Sequence, residues 1–220
     1  PSVNLQGIIG RVSYPVLATM QNDTPRLRDT YKKIIRSTML ITFVLMLGMA
    51  ASAKPMILSL VGEKWEPCIM YLQLLCFVGI FYPLSALNLN ILYVKGRSDL
   101  ALRIEIIKKF LFVPVFVLAV MWGIKVMILS MIILSLISSF INSYWSGHLI
   151  GYSFFEQIKD IIPSFLIAAA MSLVVLIEGC IIPLPAFPLF IIQLVSGALL
   201  TLGLCEGLRY KDYLYMKNII

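Results

Sequence analysis

Two long runs of the chain, residues 67–94 and 126–147, contain no charged side chain. A membrane-crossing helix needs roughly 20 mostly apolar residues, and both runs meet that requirement. Composition agrees, because 60% of the residues are hydrophobic and 13% are charged, whereas a soluble domain carries about 25% charged residues. The sequence therefore predicts an all-α, polytopic membrane helix bundle and excludes a soluble enzyme, a disordered tail and a disulfide scaffold.

The hydropathy pattern predicts six transmembrane helices. The third carries charges in its first half, which a span tolerates if its lysines reach the interface and Glu105 pairs with Lys108 or Lys109 at helical spacing. The last two are expected to form a hairpin, because the prolines from Pro183 to Pro188 disfavour a continuous helix. The predicted spans are 37–62, 67–94, 101–122, 125–148, 161–182 and 187–208.

The chain is expected to divide into four units. The opening residues are apolar around Arg11 and predict the end of an earlier transmembrane helix, whose N-terminal partner is missing. The next segment begins with a helix-capping Asp23 and predicts either an amphipathic helix on the membrane surface or the start of the first span. The units are the helix remnant 1–20, the basic cytoplasmic segment 21–36, a four-helix part 37–148, and a final hairpin with its tail, 149–220.

Charge distribution predicts the orientation. Most of the 18 Lys and Arg residues fall in connections on one side of the predicted spans, and basic residues collect on the cytoplasmic side of a membrane protein. Both ends of the six-span unit, including the C-terminus, are therefore expected in the cytoplasm. The net charge of +7 then reflects topology, and nucleic acid is not an expected partner.

The sequence offers little material for catalysis. It has one histidine, His148, and four cysteines without a C-x-x-C pair, whereas a zinc site needs three or four ligands. His148 is more simply an interfacial residue than a catalyst, and the cysteines are expected to pack as small hydrophobes. We therefore predict no enzyme, no cofactor and no metal.

Five polar residues within or beside the spans are candidates for substrate binding, because polar groups in hydrocarbon are costly and usually face a cavity or a partner. A guanidinium such as that of Arg11 can hold a phosphate with two hydrogen bonds, although it could also pair with an acid elsewhere. The asparagines could instead form interhelical hydrogen bonds, and the lysines could be topology determinants. The candidates are Arg11, Asn88, Asn90, Lys108 and Lys109.

The order of several short elements resembles the polysaccharide-exporter branch of the multidrug/oligosaccharidyl-lipid/polysaccharide flippase superfamily, the Wzx-like flippases of lipid-linked oligosaccharides. The resemblance covers residues 8 to 110 best. Its elements are Gly10-Arg11-Val12-Ser13-Tyr14-Pro15-Val16-Leu17-Ala18, the basic loop from Asp23 to Lys33, Ala53-Lys54-Pro55-Met56-Ile57, Gly62-Glu63-Lys64-Trp65 and Tyr93-Val94-Lys95-Gly96-Arg97.

The resemblance implies a two-lobed transporter of a bacterial inner membrane that works by alternating access without covalent chemistry. This chain would be its C-terminal portion, from the end of the eighth helix to the fourteenth. The implied partners are a lipid-linked oligosaccharide, the lipid bilayer, the missing N-terminal half, and a polysaccharide polymerase with glycosyltransferases. Basic side chains, Arg11 first, would hold the diphosphate of the substrate.

Three other functions stay open. A membrane polysaccharide polymerase or acyltransferase would ordinarily need a large external loop or a catalytic cluster, and the predicted external loops are short. A multidrug exporter of the same superfamily would want an acidic residue deep in a cavity. A structural membrane anchor is the remaining alternative.

Overall fold

The structure, a computed structural model, describes residues 13–207. Within this range every regular element is a helix. A short helical segment at 13–18 precedes eight α-helices, and a single 3-10 turn, Glu63–Trp65, lies between the second and the third. The helices are α1 Thr24–Ala51, α2 Ala53–Leu60, α3 Cys68–Ile80, α4 Tyr82–Val94, α5 Ser98–Trp122, α6 Ile124–Ile150, α7 Phe154–Ile181 and α8 Ala186–Gly207.

Helix α1 lies at the centre of the bundle. It begins where the Asp23 side chain accepts a hydrogen bond from the backbone N–H of Arg26 at 3.1 Å, with a proline in the first turn. One face repeats every four residues and is fully buried at Leu27, Tyr31, Ile35 and Met39, as an amphipathic helix against a core requires. The basic segment thus continues into the apolar part of α1 without a break.

Five segments are long and apolar enough to cross a membrane, judged by length and composition over the described residues. Helices α3 and α4 together make one of them, Cys68–Val94, and α1, α6, α7 and α8 make the others. Six spans were predicted, so one predicted span is not among these five candidates. The difference is α5, which forms at the predicted place and is 25 residues long, but carries Glu105, Lys108 and Lys109 in the middle of its apolar sequence.

Two predicted spans are each divided into two helices. Pro55 follows the break at Ser52, and Pro83 follows the break at Phe81. Each proline lacks the N–H that would bond the carbonyl four residues earlier, so the preceding helix ends there. Ser52 satisfies the end of α1 instead, because its hydroxyl donates to the Gly48 carbonyl at 2.9 Å.

The helices pack as two groups around α1. Its most extensive contact is with α7, which pairs in turn with α8. On its other side α1 meets α3, and the α3–α4 unit packs against α6. Helix α5 lies beyond them and packs mainly on α6. Charged side chains on α5 are therefore brought against the middle of the α4–α6 pair.

Candidate functional site

A cleft of about 350 Å³ lies between α4, α5 and α6. Residues near the middle of α5, of α6 and of the combined α3–α4 segment Cys68–Val94 line it, so it lies at mid-depth in the bundle. The lining residues are Phe81, Tyr82, Ser85, Ala86, Leu89, Glu105, Lys108, Lys109, Phe112, Met131, Leu134, Ser135, Ser138 and Asn142. The volume lies near the lower end of the range typical of ligand pockets, about 300–1,000 Å³.

Helix α5 contributes the charge of the cleft. Glu105 forms an ion pair with Lys108 at the i,i+3 spacing, so the pairing expected from the sequence is confirmed for that lysine. The Lys108 side chain is only 17% exposed, and Lys109 lines the same cleft from the next position. The three residues carry a net charge of one positive unit into an otherwise apolar region. Charged groups at such a depth ordinarily face a cavity or a partner.

Helix α6 contributes a row of neutral polar groups. Ser135, Ser138 and Asn142 follow one another three and four residues apart, so they lie on one helix face, and that face lines the cleft. The Asn142 amide donates to the Ser85 carbonyl at 3.1 Å and thereby ties α6 to α4. Its own amide oxygen is buried and has no protein partner among the described residues. The cleft therefore offers hydrogen-bonding capacity beside a positive charge.

Only part of this site was predicted from the sequence. Lys108 and Lys109 were predicted as candidates and line the cleft, but the serines and Asn142 were not predicted. Their signal was the spacing of small polar residues along an otherwise apolar helix, S-x-x-S-x-x-x-N, at 135–142. Isolated serines are common in membrane helices, so this spacing does not by itself predict a site. It indicates one only because α5, with its charged side chains, lies opposite the polar face.

Asn88 lies in a second polar cluster on another face of α4. It is fully buried, and its amide oxygen accepts hydrogen bonds from Tyr31 (2.9 Å), Ser146 (2.5 Å) and Gln157 (3.1 Å). Its amide nitrogen donates to the Leu84 carbonyl at 2.9 Å and to the Gln157 side-chain oxygen at 3.0 Å. We call these residues the Asn88 network. It joins α1, α4, α6 and α7, and no polar atom of Asn88 is left for a ligand.

Of the remaining two candidates, the structure describes Asn90, which does not line the cleft. Asn90 donates to the Ser13 hydroxyl at 3.2 Å and is half-buried. Arg11 lies outside the described residues. The structure therefore brings Lys108 and Lys109 together with each other and not with Asn88 or Asn90.

An acidic and basic cluster holds the connection between α6 and α7 to the start of α1. Arg36 pairs with Asp160 at 2.6 Å, and Asp160 also accepts a hydrogen bond from the Tyr152 hydroxyl at 2.7 Å. Burial of the Tyr152 ring, and next the hydrogen bond to Asp160, raise the pKa of its phenol above the ordinary value. A second pair, Arg28 with Glu156 at 3.1 Å, lies further out. This cluster is internally paired, and its geometry indicates a structural role.

A second cavity of about 310 Å³ lies between α1, α2, α7 and α8. Its lining is almost entirely apolar, and its main polar residue, Gln193, donates to the Val175 carbonyl at 2.8 Å. Within residues 13–207 no group of three or more His, Cys, Asp or Glu side chains could hold a metal ion. The cleft between α4, α5 and α6 is therefore the place where charge, hydrogen-bonding groups and space coincide.

Comparisons with known proteins point to one family. A sequence model of the family described as "Polysaccharide biosynthesis protein" matches residues 1–70. The lipopolysaccharide biosynthesis protein WzxC of Escherichia coli is 34% identical over 118 residues, which is 54% of this chain and 24% of that protein. An uncharacterized membrane protein in the cps region of Klebsiella pneumoniae is 26% identical over 199 residues, which is 90% of this chain and 41% of that protein.

A third relative comes from Bacillus subtilis. The teichuronic acid biosynthesis protein TuaB of Bacillus subtilis is 26% identical over 175 residues, which is 79% of this chain and 36% of that protein. The chain thus spans less than half the length of each of these relatives. No solved structure shows a significant match. These matches, together with helices long enough to cross a membrane, confirm the resemblance predicted from the sequence, and the chain is a multi-pass membrane protein similar to the Wzx-like proteins of polysaccharide biosynthesis.

Proposed function

We propose that this chain forms part of a transporter that moves a lipid-linked oligosaccharide across a bacterial inner membrane for the synthesis of surface polysaccharide. The names of two relatives support the process, since one refers to lipopolysaccharide and the other to teichuronic acid biosynthesis. The basic connections support the orientation, with the C-terminus in the cytoplasm. Transport would proceed by alternating access, as in other transporters built from helix bundles.

The cleft between α4, α5 and α6 is the observation that supports transport best. A charged, hydrogen-bonding cavity at mid-depth among apolar helices suits a polar cargo that must pass through hydrocarbon. Lys108 and Lys109 would contact the anionic part of the cargo there. Asn88 would act instead by holding α4 in the bundle, while a role for Arg11 in binding phosphate stays a prediction.

Depletion of the gene in its source organism tests the proposal. Loss of export predicts that surface polysaccharide falls and that complete lipid-linked repeat units accumulate on the cytoplasmic face of the membrane. Accumulation would be measured by extracting the lipid carrier and digesting intact spheroplasts, as compared with inverted vesicles, with a glycosidase. The gene supplied in trans is expected to reverse both effects.

The alternative functions give different results in the same experiment. A polymerase predicts single repeat units that still reach the outer surface, and an acyltransferase predicts a normal amount of polymer without its acyl groups. A multidrug exporter predicts unchanged polysaccharide with raised sensitivity to toxic cations. Any of these three outcomes would overturn the proposal.

A further inference from the structure

The composition of the cleft walls points to a more specific ligand. Resting on the proposed function, we propose that the cleft between α4, α5 and α6 binds a single sugar unit that carries an acidic group, either a carboxylate or a phosphate. Three features of the cleft carry this assignment: its unbalanced positive charge, its row of neutral polar groups and its exposed aromatic rings.

The unbalanced charge selects for an anion. Glu105 neutralises Lys108 within the cleft, and the described residues show no ion pair for the neighbouring Lys109. Lys109 is exposed, so its charge is accessible to a ligand, and attraction between opposite charges is stronger beside the apolar lining of the cleft than in bulk water. Lys109 therefore supplies the charge that favours a carboxylate or phosphate over a neutral group.

The polar row on α6 selects for hydroxyl groups. Ser135 donates to the Ile132 carbonyl at 2.8 Å, which leaves its oxygen able to accept. Asn142 has a buried amide oxygen without a protein partner, and leaving such an acceptor unpaired costs about 1–3 kcal/mol. A ligand with several hydroxyls can donate to both and also reach Ser138. A simple anion such as phosphate has no comparable set of groups.

Aromatic rings complete the match to a sugar. Tyr82 and Phe112 line the cleft and remain 37% and 42% exposed, and Phe81 lies beside them. The C–H faces of a sugar ring are apolar and pack against aromatic rings, while its edge presents hydroxyls to polar groups. The cavity of about 350 Å³ is small for a ligand site, so it suits one unit of a glycan and not a complete oligosaccharide.

Binding to the purified protein, produced from its complete gene in detergent, tests the assignment. Saturation-transfer NMR, which detects millimolar affinity, would be applied to glucuronic acid, glucose 1-phosphate, glucose and inorganic phosphate. The variants are Lys109→Gln, which removes the charge, and Phe112→Leu, which removes the ring. Lys125→Gln is the matched control, because Lys125 is exposed at the start of α6 and does not line the cleft.

We expect glucuronic acid or glucose 1-phosphate to bind at least tenfold more tightly than glucose, and the stronger of the two identifies the acidic group. Lys109→Gln should weaken that binding about 10- to 100-fold, the value of one charge-assisted hydrogen bond. Phe112→Leu should also weaken it, and Lys125→Gln should not.

Three results would overturn the inference: equal binding of glucose, equal binding of inorganic phosphate with no effect of Phe112→Leu, or binding of none of the four compounds. These results are independent of the depletion experiment. Loss of export without sugar binding would leave the transport function intact and remove the sugar site. Sugar binding without an effect of depletion on polysaccharide would support the sugar site and contradict the transport function.

Discussion

Replacement of Asn88 by leucine should destabilise the bundle more than any other single change in its polar residues that we discuss. The leucine side chain has a similar shape, so the change removes hydrogen bonds with little change in packing. Tyr31 loses the acceptor of its hydroxyl, and the Gln157 side-chain oxygen loses its donor. Ser146 and the Gln157 amide each keep a second acceptor, the carbonyls of Ser143 and Tyr152.

The cost follows from the two groups that lose their partners. A buried donor or acceptor left unpaired costs about 1–3 kcal/mol, so two of them cost about 2–6 kcal/mol if nothing rearranges. Hydrogen bonds between membrane helices have measured strengths at the low end, because the unfolded chain in the membrane also finds partners. We therefore expect Asn88→Leu to lower the free energy of unfolding by about 2–4 kcal/mol.

Two companion variants make the prediction specific to the network. Tyr31→Phe should cost about 1 kcal/mol or less, because the Asn88 oxygen keeps two donors, Ser146 and Gln157. Asn90→Leu is the matched control, since Asn90 lies two residues further along the same helix and has one side-chain hydrogen bond within the described residues, to Ser13.

The free energy of unfolding of all three variants would be measured on purified protein in mixed detergent micelles. The fraction of dodecyl sulfate is increased, and circular dichroism reports the loss of helix. In the double variant with Tyr31→Phe the cost should be less than the sum of the single costs, because both partners of one bond are then removed. Equal free energies for Asn88→Leu and Asn90→Leu, within about 0.5 kcal/mol, would refute the reasoning.

The same assay tests two further pairs of variants. Arg36→Gln should cost about 1–3 kcal/mol, because it leaves a carboxylate that is only 18% exposed without its cation, whereas Arg28→Gln, at an exposed pair, should cost about 0–1 kcal/mol. Gly147→Ala should cost about 1–3 kcal/mol, because the added Cβ would lie 2.6 Å from the Tyr152 carbonyl oxygen. Gly203→Ala, whose added Cβ would meet no neighbouring atom within 4 Å among the described residues outside its own helix backbone, should instead stabilise by up to about 1 kcal/mol. Equal costs within either pair would contradict the packing described.

The helical fold was predictable because its main signal is local. A long uncharged run such as 126–147 can satisfy its backbone in a membrane only as a helix, and α6 spans that run. Breaks within the runs were less predictable. Pro55 and Pro83 each end the preceding helix, yet Pro114 and Pro163 lie inside α5 and α7 without ending them. A proline removes the same hydrogen bond in every case, and the surrounding packing decides whether the helix continues.

The candidate site was only half predictable because it depends on contacts between helices. Charge marked Lys108 and Lys109 in the sequence, since a lysine in an apolar helix is rare. Asn142 carried no such mark, and Asn88, which the sequence also made a candidate, lies on another face of its helix. Sequence spacing places a residue on a helix face, but the partner of that face is set by the packing of helices distant in the chain.

The two polar clusters beside α4, the Asn88 network and the cleft, differ in whether their hydrogen-bonding groups all have protein partners. The Asn88 network is neutral, and each polar atom of Asn88 has at least one protein partner, so it can stabilise the bundle but has no capacity for a ligand. The cleft contains a net charge, and Asn142 has an unpaired amide oxygen, so it can bind but contributes less to holding the helices together. Asn88→Leu should consequently reduce stability at every ligand concentration, while Lys109→Gln should reduce binding with little change in stability. The two properties can therefore be altered separately, although α4 contributes residues to both clusters.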